Sequence, residues 1–170
     1  MTKNYDVLYF IVPGEPKGKQ RPHFTSRGGK RAYTPAQTVA YEKEIGYLAK
    51  QAIAKRGKWE LDGAFEITIS ACFEIPKSWP KWQQEAATEG EYPHITRPDC
   101  DNIEKVVCDA LNKIVWADDS KLHHTEVYKF YTIEGPCLQI AIWREEIITF
   151  PVWQKLKKKL KGGKHEALNN

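Results

Sequence analysis

The chain has 170 residues, of which 41% are hydrophobic and 28% charged, with a formal net charge of +4. This is the composition of one soluble globular domain able to bury a real core, and no apolar run approaches membrane-spanning length. Cys72, Cys100, Cys108 and Cys137 lack Cys-x-x-Cys spacing, which argues against zinc and a disulfide framework and for reduced, mostly buried thiols.

The charge is unevenly spread. Residues 13–33 carry Lys17, Lys19, Arg21, Arg27, Lys30 and Arg31 against Glu15, and residues 151–170 carry six lysines against Glu166. Each segment is net +5, which leaves the rest of the chain at −6. A basic loop and a basic tail on a mildly acidic body fit a polyanionic partner, and equally fit a solvated surface.

Asp6 to Val12 reads as a first strand, apolar at every position from Val7 to Val12, as in a strand buried on both faces. This short run lacks a cleavage site, so it is not a signal peptide and the expected location is cytoplasmic. Pro13-Gly14 ends the strand. Residues 14–33 read as a long structureless loop, in which Phe24 and Tyr33 either stack on bases or anchor the loop. Thr34 reads as the N-cap of a helix, with Pro35 at its first position and Gln37 completing a capping box. Tyr41, Ile45, Leu48, Ala49, Ala52 and Ile53 form its apolar stripe, and Gly57 ends it. Ala64 to Ile75 alternates as a strand, with Phe65, Ile67, Ile69 and Ala71 on one face. A short helix is expected around Lys81 to Thr88, packed down by Trp79 and Trp82.

Residues 97–122 hold the densest pattern. Asp99 and Asp101 sit one residue apart before a helix whose face carries Ile103, Val106, Val107, Ala110, Leu111 and Ile114. Asp118-Asp119 follows soon after, close enough for a short chain reversal to bring the two acidic pairs together. Hard oxygen donors of this kind suit Mg²⁺. The plainer reading makes Asp101 an N-cap with Glu104 in a capping box, and Asp118-Asp119 a solvated turn. Lys105 lies four residues after Asp101 on the same helix face, where it either neutralises the carboxylates, with Asp109 as a further partner, or meets a phosphate. Cys100 reads as a spacer between Asp99 and Asp101.

The run Arg97-Pro98-Asp99-x-Asp101-Asn102-x-x-Lys105-x-x-x-Asp109-Ala110-Leu111, then Val115-Trp116-x-Asp118-Asp119-Ser120, resembles the RusA family of Holliday junction resolvases. Lys121 departs from the polar residue that ends the family's motif. Pro13 to Pro22 resembles the family's basic loop. The resemblance implies a Mg²⁺-dependent endonuclease, with Mn²⁺ as a substitute ion, that cuts four-way junction DNA as a homodimer and is often phage- or prophage-encoded. It implies Asp99, Asp101 and Asp119 as metal ligands, with Asp118 in reserve, and Lys105 beside them at the scissile phosphate. Lys17, Lys19, Arg21, Arg27, Lys30, Arg31 and Arg97 are the expected DNA contacts. A non-catalytic DNA-binding protein, or a Mg²⁺ nuclease without junction specificity, would use the same charges.

Leu122 to Tyr131 is expected as a strand with Val127, Lys129 and Tyr131 on one face, and Cys137 to Trp143 as the last strand. Gly135-Pro136 between them suggests an antiparallel hairpin. Trp153, Leu156 and Leu160 suggest a short amphipathic helix in the tail. The whole reads as an α+β fold, a small mixed sheet packed with helices, with residues 1–150 as the domain and 151–170 as a basic tail.

Overall fold

A computed structural model describes residues 5–21, 23–25 and 31–147, together with 151, 153, 154 and 157. Four strands form the main sheet: β1 (Asp6–Pro13), β4 (Ala64–Glu74), β5 (Leu122–Thr132) and β6 (Cys137–Glu145). β2 (His23–Thr25) and β3 (Arg31–Tyr33) form a separate antiparallel hairpin. The helices are α1 (Ala36–Arg56), α2 (Lys81–Thr88) and α3 (Cys100–Leu111), with a 3₁₀ turn at Asp119–Lys121. The fold is therefore α+β, as the sequence pattern indicates. The sheet is mixed in the order β1-β6-β4-β5: β6 runs antiparallel to both β1 and β4, and β4 runs parallel to β5.

That order overturns the expected β5–β6 hairpin. Leu138, Ile140 and Ile142 of β6 are completely buried, which suits a central strand, and they lie between β1 and β4. Among the described residues β5 pairs only with β4 and takes the edge. Thr132 pairs with Glu74 and Cys137 with Cys72, so the connection through Gly135 steps across the end of β4. A Gly-Pro turn signals that the chain reverses. It does not say whether the two arms touch.

β1 is also buried on one face only. Leu8, Phe10 and Val12 point into the core, while Val7, Tyr9 and Ile11 stay exposed at 43%, 52% and 45%. The cause lies outside the strand: the helices cover a single face of the sheet. On that covered face Phe65, Ile67, Ile69, Leu138, Ile140 and Ile142 meet Tyr41, Ile45 and Ala49 of α1 and Ile103, Val107 and Leu111 of α3, all buried.

Three local expectations change. The segment 14–33 is not structureless throughout, since His23 to Thr25 pair with Arg31 to Tyr33. Pro35 occupies the N-cap of α1 and no side chain caps it, so Thr34 and Gln37 form no capping box. Gly57 ends the helix as expected, at φ 96°, with its N–H on the Ile53 carbonyl at 2.9 Å. Of the tryptophans beside α2, Trp79 packs at 5.0 Å from Tyr131 and 5.2 Å from Tyr92, whereas Trp82 is exposed. The four thiols are free, with Cys72 buried, Cys108 and Cys137 half-buried and Cys100 exposed. Arg27, Lys30, Leu156, Leu160 and the side chains of Phe24, Arg31 and Tyr33 lie outside the described residues; 151, 153, 154 and 157 are helical.

His94 sits in the aromatic cluster, stacked 3.7 Å from Phe73, buried, with Nε2 at 3.2 Å from the Thr96 hydroxyl. Burial, and then the charge of Lys129, hold its pKa below the ordinary 6.5. The folded protein thus resists a proton that the unfolded chain accepts as pH falls through 6.5. Stability is fully present above that pH and declines below it, by at most about 1.4 kcal/mol per pH unit from this group. Urea titrations at pH 7.5 and 5.5 should show a smaller stability difference for His94→Phe than for the wild type; an equal difference would clear His94 of the effect.

Candidate active site

The site begins with the two sides of α3. One side buries Ile103, Val106, Val107, Ala110 and Leu111 against the sheet. The other presents Asp101, Glu104, Lys105, Cys108 and Asp109, spaced by three and four residues, so they line up along the helix. Asp99 occupies the N-cap position without a side-chain bond, and the helix starts at Cys100. Asp101 is therefore a first-turn residue and not the N-cap, so its carboxylate is not used up in capping. It also complements the helix dipole there.

After Leu111 the chain turns back. The Lys113 N–H bonds the Trp116 carbonyl at 2.8 Å, and Trp116 is fully buried beside Phe65 at 5.8 Å. That anchor delivers Asp118 and Asp119 to the start of β5. Asp118 accepts from the Ser120 N–H at 3.0 Å and N-caps the 3₁₀ turn. This hydrogen bonding to Ser120 holds its pKa below the usual carboxylate value. Asp119 instead lines a cleft of about 400 Å³ together with Asp101, Glu104, Lys105, Cys108 and Asp109 and, from β5, Leu122 and Thr125. The two adjacent aspartates thus differ in use, a distinction their spacing alone leaves open.

The cleft is electrostatically loaded. Burial pushes the Cys108 thiol up to about 12, helped by the negative charges of Glu104, Asp109 and Asp119 and opposed by Lys105. Glu104 and Asp109 belong to the cleft although the sequence reading gave them only helix-stabilising roles. Their shared spacing with Asp101 was the signal. Lys105 reaches Asp109 at 3.9 Å, the expected i,i+4 contact.

A second concavity, about 800 Å³, lies at the entrance of α3. It is lined by Lys17, Lys19, Arg21 and Arg97 with Asp99 and Asn102. The loop that supplies its cations is stapled to α3. The Lys19 N–H bonds the Asn102 carbonyl at 2.8 Å, and the Lys19 ammonium bridges Asp109 at 2.8 Å and Glu42. Burial acts against that ammonium, yet its hydrogen bonds to Asp109 and Glu42 hold the pKa above 10.5. Lys17 lies 5.3 Å over the Tyr41 ring. From the other side, Lys129 of β5 donates to the Thr96 and Pro98 carbonyls at 2.6 and 2.8 Å, fixing the approach to Asp99.

Asp99 therefore faces the basic groove, and Asp101 and Asp119 face the acidic cleft. The carboxylates of Asp99, Asp101 and Asp119 do not all three lie within 4.8 Å of one another. An all-oxygen set of exposed carboxylates fits Mg²⁺, which takes one or two protein carboxylates and keeps waters for its other positions.

Residues 13–143 match the family model described as Endodeoxyribonuclease RusA. The chain is also similar to a protein of Bacillus subtilis (strain 168) named "Uncharacterized protein YqaN", 32% identical over 140 residues that span 81% of this chain and 96% of the relative. No helix of the described residues is long and apolar enough to cross a membrane.

The staple has a steric requirement at Gly18. A Cβ there would stand 2.8 Å from the Pro98 Cβ and 2.9 Å from the Asn102 Cβ, closer than such atoms pack. Gly18→Ala should lift the loop from α3 and break the Lys19–Asn102 bond. Hydrogen exchange at the Lys19 amide is expected to accelerate at least about ten-fold, equivalent to about 1.4 kcal/mol of lost local protection. Unchanged exchange would show that the loop is held elsewhere.

Proposed function

Because the chain belongs to the RusA endodeoxyribonuclease family, we propose that it is a Mg²⁺-dependent endonuclease that resolves four-way DNA junctions. The supporting observation is the adjacency of opposite charges at one helix end: Asp99 lines a groove of Lys17, Arg21 and Arg97, and two residues later Asp101 lines a carboxylate cleft. A purely DNA-binding surface has no use for that cleft, because carboxylates repel phosphate.

In this reading Asp101 and Asp119 would hold the ion, Asp99 would complete the set once its carboxylate turns from the groove toward them, and Mn²⁺ would substitute. A bound Mg²⁺ would orient and polarise an attacking water and offset charge on the phosphate. The chain's own residues do the rest. Lys17, Arg21 and Arg97 bind the sugar–phosphate backbone and set the strand's path, contributing affinity without sequence readout. Arg27, Lys30 and Arg31 extend the same basic segment. Lys105, exposed on the cleft rim, puts an ammonium at the scissile phosphate and stabilises charge developing there. Lys19 acts mainly by positioning, since its ammonium is already engaged by Asp109 and Glu42.

Resolution requires two strands of like polarity to be cut, and with one cleft per chain this calls for a two-fold homodimer. The helix-free face of the sheet supports that assembly. It exposes Val7, Tyr9 and Ile11 at its β1 edge and Tyr128 and Phe130 at its β5 edge, large apolar side chains that an interface would cover.

Asp101→Asn removes a ligand charge at a position with no capping duty. It should leave junction binding intact and lower Mg²⁺-dependent cleavage by at least about 100-fold, an effect of about 2.7 kcal/mol on the barrier. Nicking assays on junction, duplex and single-stranded DNA check this. Wild-type rates for the variant would remove Asp101 from the site, and equal cutting of all three substrates would remove the junction specificity.

Tyr9→Asp combined with Tyr128→Asp should convert the dimer to monomer. Sedimentation equilibrium reads this directly, because the chain mass is 19.6 kDa. A wild type that stays at one chain mass, on and off junction DNA, would end the paired-nick mechanism.

A further inference from the structure

On the helix-free face, at the end of the sheet where β4 and β5 begin and β6 ends, three side chains from three strands converge. Glu66 comes from β4, His123 from β5 and Glu145 from β6. Their ligand atoms all lie within 4.8 Å of one another, with His123 Nε2 at 3.7 Å from a Glu66 oxygen and 3.6 Å from a Glu145 oxygen. The pairing explains how they meet. Glu145 pairs with Ala64, two residues before Glu66, so both carboxylates stand on the same face. Phe65 pairs with Leu122 but Glu66 with His124, so His123 is an extra residue in β5. It forms a bulge, and a bulge re-aims a side chain that regular alternation would send elsewhere.

We propose that Glu66, His123 and Glu145 form a binding site for a divalent cation of the zinc–manganese class, separate from the acidic cleft. The donor set carries the choice of ion. One imidazole nitrogen with two carboxylates is a borderline set that suits Zn²⁺, Mn²⁺ and similar metals, whereas the carboxylate oxygens of the cleft suit Mg²⁺. The spacing fits as well. Two ligands each about 2.1 Å from a tetrahedral ion stand roughly 3.4 Å apart, and the imidazole–carboxylate separations of 3.6 and 3.7 Å exceed that by a few tenths of an ångström. Three protein ligands leave a position for water or a further donor. The three residues are half-buried or exposed, so an ion reaches them from solvent. Bound there, the ion ties β4, β5 and β6 together at the point where the 3₁₀ turn carrying Asp119 runs into β5. The site is thus a structural clamp beside the cleft, and it stands whether or not the cleft cuts DNA.

The test is calorimetric titration of Zn²⁺ into the metal-free full-length protein in saturating Mg²⁺, with thermal melting in parallel. One equivalent of Zn²⁺ per chain should bind and raise the melting temperature. Losing a partner of a metal ligand already weakens binding 10–100-fold, so His123→Ala should weaken it by more than about 100-fold. Glu66→Gln and Glu145→Gln should each weaken it too, and melting without metal verifies that each variant is folded. His124→Ala, next door but directed to Glu126 at 3.4 Å, should bind like the wild type, as should Asp101→Asn and Asp119→Asn. Binding that survives all three trio substitutions, or that vanishes in Asp101→Asn or Asp119→Asn, would assign the ion elsewhere and overturn the proposal. So would a wild type that takes up no Zn²⁺.

Discussion

The arrangement depends on keeping several carboxylates together on one helix face against their own repulsion. Asp101, Glu104 and Asp109 stand along α3, and Asp119 faces them across the cleft. Like charges at such spacings are individually unfavourable by a few tenths of a kcal/mol on a helix. What holds them is the opposite side of the same helix. Ile103, Val106, Val107 and Leu111 are fully buried, and each such side chain contributes about 1.5–3 kcal/mol through burial. The core therefore outweighs the repulsion by a wide margin, and the acidic face is carried along by the packing. A site whose charges oppose one another is then possible without loss of the fold.

Partial compensation comes from outside the helix. Lys19 brings an ammonium to Asp109 from a loop 90 positions earlier in the sequence, and the backbone bond to Asn102 fixes that loop to the first turns of α3. Among the described residues Lys19 and Lys105 pair with Asp109, while no ion pair engages Asp101 or Asp119, so their negative charge stays available in the cleft. The basic groove opens at the entrance of the same helix. Lys129 serves the same geometry from β5, holding two carbonyls of the segment that enters α3. The position of Asp99 and Asp101 is thus over-determined by two lysines that need not touch a substrate.

Much of this was legible in the sequence, for reasons that differ by element. The face of α3 could be read because an amphipathic period of 3.6 survives any tertiary context. α2 appears at the expected Lys81–Thr88, and the alternation of β4 survives because one side of it is buried. The strand order was not legible. β5 and β6 are neighbours in sequence and separated in the sheet by β4, and nothing local in Gly135-Pro136 encodes that. The one-sided burial of β1 was misread for a related reason: Val7, Tyr9 and Ile11 are apolar, but what covers a strand is a property of the whole sheet. The roles of Asp118 and Asp119 likewise needed the turn geometry, because only the Ser120 bond separates them. His123 could not be found from spacing at all, since a bulge is invisible until the register on both sides is known.

The unequal faces of the sheet tie these features together. With α1 and α3 on one face, the cleft forms where α3 meets β5, the one of the two described edge strands that follows the Asp119 turn. An edge strand normally risks pairing with another chain, and natural edges are blunted by charge and by bulges. β5 has both: His123 is bulged, and His124, Glu126 and Lys129 interrupt its apolar residues. The features that keep this edge from propagating a sheet are thus the same ones that shape its ends, the acidic turn on one side of Leu122 and the imidazole on the other. The local irregularity of β5 is therefore a consequence of where the strand sits: a regular, apolar edge there would offer a partner strand to any chain, and it would leave neither a cleft wall nor an imidazole-bearing bulge.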